Sequence, residues 1–375
     1  MHQLRFAGLL FSISLFALSG ANDTPKKIGV DELAQLIAAA QNTPDRELGQ
    51  KLSQIVLTER LSTTRLLELS KRLPGDESRT DLSLLADQSM FLPPPRDEVS
   101  VDDAPDAAAT RQMLVKVVNY VNATVRQLPN LTATRFTNGF EDRPSEDRLT
   151  STGIESLSSL PLHWVGSLKV EVTYRDRQEV EDKSVKPEKK GNGIGGLVTT
   201  GEFGPILSTV LADALKGKIS WSRWERGSDR TLAVFHYTVP VDKSNYHVQF
   251  CCIVEGYDAN NMAEMRVFNE RSAYHGDIVF DPADGSIRLL TLEAEMPQGG
   301  LVSGAGIAIE YAPQNIGERS YICPVRSVSL LRAHAAQQSG AASRSNYKGT
   351  AKTFLNEVSF GDYRRFGSEI KMLPD

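Results

Sequence analysis

The chain has 375 residues, of which 40% are hydrophobic and 24% are charged, and its formal net charge is −5 at pH 7. This length predicts two domains, and this composition is typical of an ordinary globular protein. The negative net charge gives a nucleic-acid partner no electrostatic support. After the N-terminus, the sequence contains no apolar run long enough to form a membrane-spanning helix.

Residues 1–21 have the pattern of a signal peptide. Arg5 supplies a positive charge, the apolar run FAGLLFSISLFAL follows, and the small residues SGA end the segment. A short membrane anchor is the alternative, but the run is short for a bilayer and polar NDTPKK follows at once. We therefore expect a periplasmic or secreted protein whose mature chain begins near Gly20 or Asn22.

Residues 22–92 are predicted to form a small N-terminal helical module. DELAQLIAAAQ begins at Asp31, a possible N-cap, and its leucines and isoleucine recur at helical spacing. A second stretch with helical spacing closes at Pro74-Gly75, which is a stop signal, and SLLADQSMFL adds a short helix. PPPRDEVSVDDAPDAAA, at 93–109, is rich in proline and acidic residues, which predicts a linker.

Residues 110–375 are predicted to form a β domain. A helix over about 110–127 comes first, and its apolar face is formed by Leu114, Val117, Val118, Val121 and Val125. Hydrophobicity then alternates with a period of two, as in SLKVEVTYRDRQEVED, and hairpin turns are predicted at 242–245, 284–285 and 315–317. Closely spaced turns favour an antiparallel sheet. The expected fold class is α+β, a curved antiparallel half-barrel with an inserted helix, preceded by the helical module.

A glycine-rich segment raises the question of nucleotide binding, since Gly191, Gly193 and Gly196 have G-x-G-x-x-G spacing. A dinucleotide site needs a strand before the glycines and a helix that opens on the last one. Here the charged stretch DKSVKPEKK precedes the glycines, and the next helix begins only at Gly204-Pro205. We therefore expect no nucleotide cofactor and interpret the segment as a flexible tether.

The helix FGPILSTVLADALKG follows the tether. Its apolar stripe is formed by Ile206, Leu207, Val210, Leu211 and Leu215. Such a helix can lie against a curved sheet either as a permanent plug or as a movable lid over a cavity. Trp221 and Trp224 come next in SWSRWERG and are candidates for lining a ligand groove, although core packing is the usual role of buried tryptophan.

No pattern of catalytic or metal-binding residues stands out. None of the six histidines has H-E-x-x-H spacing, and GLVSGAG is one residue out of register for a nucleophile elbow. His236 and His247 are predicted on paired strands, where they could approach each other, but isolated strand histidines are commoner. Asp277, Asp281 and Asp284 surround a turn, where aspartate accepts backbone hydrogen bonds. We expect a protein without enzymatic activity, cofactor or metal.

The three cysteines are Cys251, Cys252 and Cys323. Export permits a disulfide bond, and neighbouring residues on a strand point to opposite faces, so only one of the adjacent pair easily reaches Cys323. Cys252 shares the more apolar face with Val248 and Phe250. This favours a Cys252–Cys323 bond, with buried reduced thiols as the alternative.

Two segments, YVNATVRQLPNLTATRFTNGFED and GDIVFDPADGSIRLLTLEAE, resemble the periplasmic outer-membrane lipoprotein-carrier (lipoprotein-sorting) family. That resemblance is architectural and covers residues 110–372; the carriers lack the helical region at 30–90. TERLS, GEFGPIL, FCC and YICPVRSVS resemble a group of uncharacterised secreted bacterial proteins over most of the mature chain. The resemblance to the carriers implies an apolar concave surface able to take acyl chains.

The resemblance implies binding of a lipid, a lipoprotein or another apolar ligand in the concave face of the half-barrel. The candidate ligand-binding residues are Ile206, Leu207, Val210, Leu211, Trp221 and Trp224. The alternative is a structural or protein-interaction component of the cell envelope with no ligand cavity. An open apolar cleft would favour ligand binding, and a packed interior would favour the alternative.

Overall fold

A computed structural model gives the fold of most of the mature chain. It describes residues 25–142, 161–175, 178–181, 188–191, 194–197, 199, 201–257, 263–297, 300–334 and 351–365. The predicted signal peptide, residues 1–21, and Gly193 of the glycine-rich segment lie outside the described residues.

The N-terminal helical module contains four helices and a parallel pair of strands. Its elements, with the 3-10 turn that follows them, are β1 (Lys26–Ile28), α1 (Val30–Ala39), α2 (Asp45–Leu52), β2 (Ile55–Leu57), α3 (Thr63–Ser70), α4 (Asp76–Gln88) and the turn Arg96–Glu98. Leu33, Leu52 and Leu82 are fully buried at the centre of a core that these elements share. The module therefore has its own hydrophobic core, separate from that of the β domain.

Two details predicted for this module are wrong. Asp31 is not an N-cap, because α1 already begins at Val30, and the Val30 N–H donates to Glu59 Oε1 at 2.7 Å. A carboxylate distant in sequence thus satisfies the helix N-terminus, and Asp31 lies in the first turn, where its charge favours the helix dipole. The second helical stretch is interrupted by β2, whose β-branched residues favour an extended chain.

The segment 93–109, predicted to be a linker, is docked at residues 99–103, and its last three residues belong to the helix that follows. Val99 forms an isolated antiparallel bridge with Glu225, and the Ser100 N–H donates to the Trp224 carbonyl at 3.1 Å. These bonds attach the segment to one edge of the β domain. The positions of the domain boundaries stay a prediction.

The β domain is built on an open antiparallel sheet of 11 strands with two helices. The helices are α5 (Ala107–Gln127) and α6 (Pro205–Lys216). The strands are β3 (Leu131–Glu141), β4 (His163–Arg175), β5 (Gln178–Glu181), β6 (Glu188–Gly191), β8 (Lys218–Arg226), β9 (Thr231–Val239), β12 (Ala273–Phe280), β13 (Ile287–Glu295), β14 (Val302–Ile316), β15 (Arg319–His334) and β16 (Ala351–Arg365). Their order is β5-β4-β3-β16-β15-β14-β13-β12-β9-β8, and β6 also pairs with β4. The predicted α+β class with an antiparallel sheet is confirmed.

Two of the three predicted hairpins are confirmed. β12 and β13 pair across a turn in which Gly285 has φ of 81°, and β14 and β15 pair across Gly317 with φ of 65°. Both glycines occupy the left-handed region, which residues with a Cβ atom rarely adopt. The turn chemistry therefore set the register of these two hairpins.

A separate three-stranded sheet explains why the third predicted hairpin is wrong. Its strands are β7 (Gly196–Leu197), β10 (His247–Tyr257) and β11 (Ala263–Arg271), in the order β11-β10-β7. The chain leaves the large sheet at 242–245, where Asn245 donates two hydrogen bonds of 2.6 Å to Asp213 of α6. Because β9 and β10 lie in different sheets, the prediction that His236 and His247 lie on paired strands is wrong.

The large sheet has two faces with different neighbours. Along β14, Ile307 and Ile309 pack with α5, α6 and the small sheet, whereas Ala308 packs with Leu84 and Met90 of the helical module. Successive residues of a strand point to opposite faces, so one strand serves both contacts. The face toward α5 and α6 is termed the inner face, and the face toward the helical module is termed the outer face.

The glycine-rich segment packs closely against both sheets. Gly191 pairs with Gly166 in the ladder between β6 and β4, and a Cβ atom on Gly191 would lie 2.3 Å from the Val165 carbonyl oxygen. Gly196 pairs with Cys251, and a Cβ atom there would lie 2.9 Å from the nearest side-chain atom. These glycines allow close backbone approach, so the predicted flexible tether is wrong at both positions.

Candidate functional site

Helix α6 carries four of the predicted ligand-binding residues. Pro205 occupies its first turn, where a missing N–H is tolerated, as the sequence predicts. Leu207, Val210 and Leu211 are 3%, 1% and 5% exposed in the core of the inner face. Ile206 is partly buried against the same core. The apolar stripe of α6 is thus a packed part of the core.

The two tryptophans extend this cluster to the edge strand β8. Trp221 and Trp224 are partly buried against the core and contact each other edge to face, with ring centroids 4.6 Å apart. Trp221 also contacts Phe235, and the Trp224 Nε1–H donates to the Asp103 carbonyl at 3.0 Å. All six predicted residues therefore belong to one apolar cluster, and Ile206, Trp221 and Trp224 are among its partly buried members.

A buried carboxylate on α6, which the apolar stripe did not predict, fixes the C-terminal half of the helix. Asp213 is 0% exposed and accepts hydrogen bonds from the Asn245 N–H and Nδ2 at 2.6 Å and from Tyr274 Oη at 3.0 Å. Burial and the nearby carboxylate raise the pKa of Tyr274 well above its usual range, which keeps the phenol a donor. The available signal was an acidic residue three positions after Val210, on the buried side of the helix.

A second buried polar cluster lies just before α6. Arg135 of β3 donates to Thr199, with both bonds 3.0 Å long, and lies 3.9 Å from Glu179 and 3.6 Å from Glu202. Glu179 accepts the Gly201 N–H at 3.0 Å, and Glu202 is 1% exposed. Buried charges are costly unless they are paired, so this cluster favours one position for the chain that enters α6.

Two clefts of the described chain lie away from this apolar cluster. One, of about 300 Å³, lies between α4 and the outer face of β3 and β16. The other, of about 380 Å³, begins where Gly217 follows α6 and is lined by Lys218, Thr238 and Lys243. Neither cleft is lined by the apolar residues of α6. On the inner face, the burial of Leu207, Val210 and Leu211 shows that α6 fills the space that it covers.

The outer face carries a network of ion pairs instead. Arg60 of the helical module pairs with Glu225 at 2.5 Å, and both side chains are 7% exposed. Arg223 lies 2.6 Å from Glu225 and 2.8 Å from Asp277, which also accepts His236 Nδ1 at 2.8 Å. The network joins the module to β8, β9 and β12 through residues far apart in sequence, so no local pattern predicted it.

The histidine close to His236 is His275, whose ring centroid lies 6.1 Å away. His275 is 3.4 Å from Glu295 and 3.8 Å from Glu293, and burial raises the pKa of Glu293 above its usual range. Even so, the described residues contain no group of three or more His, Cys, Asp or Glu side chains placed to hold a metal ion. The histidines and carboxylates of this part of the outer face lie within ion-pair distance of one another.

The predicted Cys252–Cys323 disulfide is wrong. Cys323 is a free, fully buried thiol in a cluster with Leu131 and Val172, while Cys251 is the cysteine held in a disulfide bond. Burial raises the pKa of Cys323 to about 12, so the thiol is unreactive at neutral pH. The alternation of strand faces could not predict this, because β10 belongs to a separate sheet.

The comparisons with known proteins identified no relative of this chain. Among the described residues, no helix combines the length and apolar character needed to cross a bilayer. The resemblance to lipoprotein carriers stays a prediction. No protein-family model, curated protein or solved structure matches the chain.

Proposed function

We propose that this chain is an exported, non-catalytic structural or protein-interaction component of the cell envelope, with an inner face filled by its own helix α6. The observation that carries the proposal is the burial of α6. Leu207, Val210 and Leu211 are at most 5% exposed, and Asp213 accepts three hydrogen bonds. Export is supported by the pattern of residues 1–21.

The cost of opening the inner face favours this proposal over lipid carriage. Exposing three large apolar side chains costs roughly 5–9 kcal/mol, at about 1.5–3 kcal/mol for each one. A ligand that needs the open form must supply this energy from its own binding, which weakens its apparent affinity more than a thousandfold. Full burial of a sixteen-carbon chain yields roughly 12 kcal/mol, so little remains after the cost of association.

Binding of an apolar ligand is the second candidate function, and one observation favours it. Trp221 and Trp224 are only partly buried at the edge of the apolar cluster, next to the docked segment that contains Asp103. A ligand that enters at this edge would contact both indole rings before it met α6. This site would need a smaller rearrangement than displacement of the whole helix.

Titration of the intact mature chain with a fluorescent fatty acid tests the proposal. We expect no saturable binding, because the inner face offers no room for the acyl chain. Trp221→Ala and Leu215→Asp are the matched variants, since Trp221 borders the apolar cluster and Leu215 is 50% exposed on α6. Saturable binding that Trp221→Ala abolishes and Leu215→Asp retains would support the second function instead.

A further inference from the structure

The cleft between α4 and the outer face has the size of a site for a small organic molecule. Its volume of about 300 Å³ is at the lower end of ligand pockets and exceeds what a single ion needs. One wall is α4, with Thr80 and Ser83, and the floor is formed by Asn138 of β3 and Glu357 of β16. The helical module and the β domain each contribute one side, so the site requires both.

The cleft lies in a region with more negative than positive charge. Arg326 pairs with Asp87 and lies 3.5 Å from Glu310 and 3.6 Å from Glu357, so one guanidinium serves three carboxylates. Asp87 and Glu357 both line the cleft, and so does Arg79, which is itself paired with Asp76 of the same lining at 3.0 Å. In a partly buried setting this excess of negative charge is poorly screened and favours a second cation.

A second observation at the same place is independent of the charge count. The Asp87 side chain is 0% exposed, and its Oδ1 is occupied by Arg326. Its Oδ2 has no hydrogen-bond partner among the described residues. Burying a carboxylate oxygen without a hydrogen-bond donor costs about 1–3 kcal/mol, and more when the carboxylate is charged. A ligand that donates a hydrogen bond to this oxygen would remove that cost. The lining of the cleft therefore contains both an excess charge and an unsatisfied acceptor.

We propose that this cleft binds an organic cation, a primary ammonium or guanidinium group on a short alkyl stem. The cationic N–H groups would donate to Asp87 and Glu357, as charge-assisted hydrogen bonds do elsewhere in proteins. Leu84 and Phe140 give the cleft apolar walls for the alkyl stem, and Thr80 supplies a hydroxyl for a further N–H. The proposal does not involve α6 and is independent of the state of the inner face.

The same cationic group has two sources, a free diamine or guanidinium compound and the lysine or arginine side chain of a protein partner. Agmatine represents the free source, and a blocked glycyl-arginyl-glycine peptide represents the side chain. Hexanoate, which has a stem of similar length and a negative charge, is the chemical control. Binding of the peptide without agmatine would assign the cation to a partner, and equal or tighter binding of agmatine would assign it to a free ligand.

The experiment is isothermal titration of the intact mature chain with each probe at pH 7 and low salt. We expect saturable binding of agmatine or the peptide with one site in the millimolar range or tighter, and no binding of hexanoate. Asp87→Asn should weaken binding at least tenfold, and Glu357→Gln should weaken it several-fold. Glu318→Gln, at an exposed turn residue, should leave it unchanged.

Two results would overturn the proposal. One is the absence of saturable binding by both cationic probes to the wild-type chain. The other is binding that Glu357→Gln leaves at full strength, and this variant decides the matter if Asp87→Asn fails to fold. Glu357 is 26% exposed, so its replacement by the neutral isostere puts little strain on the fold.

Discussion

The two faces of the large sheet are covered through different kinds of contact, although the same strands form both faces. On the inner face, Ile307 and Ile309 meet the apolar stripe of α6, and buried polar clusters lie at the two ends of that helix. On the outer face, Glu310 and Arg326 take part in ion pairs that reach the helical module. The inner face is therefore a hydrophobic core with polar anchors, and the outer face is a charged interface with apolar patches.

This difference separates the energetic roles of the faces. Apolar burial contributes most of the stability of a fold, whereas buried ion pairs roughly balance their own desolvation and mainly specify one arrangement. We therefore expect changes on the inner face to unfold the protein. Substitutions on the outer face should weaken or alter the attachment of the helical module without unfolding the β domain.

The largest effect should come from a charge inside the apolar stripe of α6. Leu207→Asp buries an unpaired carboxylate, and we expect it to destabilise the fold by about 4 kcal/mol in urea unfolding. Leu215→Asp on the same helix is the control. Because Leu215 is 50% exposed, this substitution should lower the free energy of unfolding by less than about 0.5 kcal/mol. Equal, small effects of the two substitutions would mean that α6 is not part of the core.

Removing the polar anchor of α6 should have the next largest effect. Asp213→Ala leaves the donors of Asn245 and Tyr274 without an acceptor, and we expect a loss of about 3 kcal/mol in the free energy of unfolding. Tyr274→Phe is the matched variant, since it removes one of the three bonds and should cost about 1 kcal/mol. An Asp213→Ala protein as stable as the wild type would show that the anchor is dispensable.

On the outer face, the ion pair between the module and the sheet should matter less. Arg60→Met leaves Glu225 still paired with Arg223, so we expect a loss of about 2 kcal/mol rather than the larger cost of an unpaired charge. A double-mutant cycle with Glu225→Gln measures the coupling. A coupling energy near zero would show that this ion pair does not contribute to the attachment of the module.

The smallest expected effect is a gain in stability at neutral pH from a substitution within the helical module. Burial, with help from Glu77 and Asp45, raises the pKa of Asp81 to about 6 from 3.8. The folded state therefore binds this proton more tightly than the unfolded chain, and stability falls as pH rises through that window. Because the side chain is partly exposed, we expect Asp81→Asn to add only about 1 kcal/mol at pH 7.5.

Urea unfolding at pH 7.5 and pH 4.5 checks this sign. The gain from Asp81→Asn should shrink at the lower pH, where the wild-type carboxyl is largely protonated in the folded state. Glu318→Gln, at an exposed turn residue, should show no such dependence. A gain that is constant with pH would point to a cause other than ionisation.

The sequence predicted the elements whose structure is decided locally. Helices α5 and α6 follow from apolar residues at helical spacing, and α6 begins at Pro205 as expected. The hairpins at Gly285 and Gly317 follow from turn chemistry together with strands of period two. The α+β class follows from these elements, because closely spaced turns favour antiparallel pairing.

The sequence could not predict features decided by distant contacts. The loop before β10 looks like a hairpin turn, but Asn245 bonds to Asp213 and directs the chain to a second sheet. The pairing of Arg60 with Glu225 joins residues 165 positions apart, and neither residue has a local signal. The six candidate ligand residues all belong to one apolar cluster, but whether such a cluster is core or cavity depends on what fills the space, which the sequence does not show.

Native-state hydrogen–deuterium exchange across α6 tests most directly whether the helix is a fixed part of the core. The hydrogen-bonded amides at 209–216 should exchange with the same free energy as those of β9 and β12, because a core helix opens only when the whole domain unfolds. Asp213→Ala should lower both values together. Exchange of α6 at a free energy several kcal/mol below that of these strands, slowed by added fatty acid, would contradict a filled inner face and establish α6 as a lid.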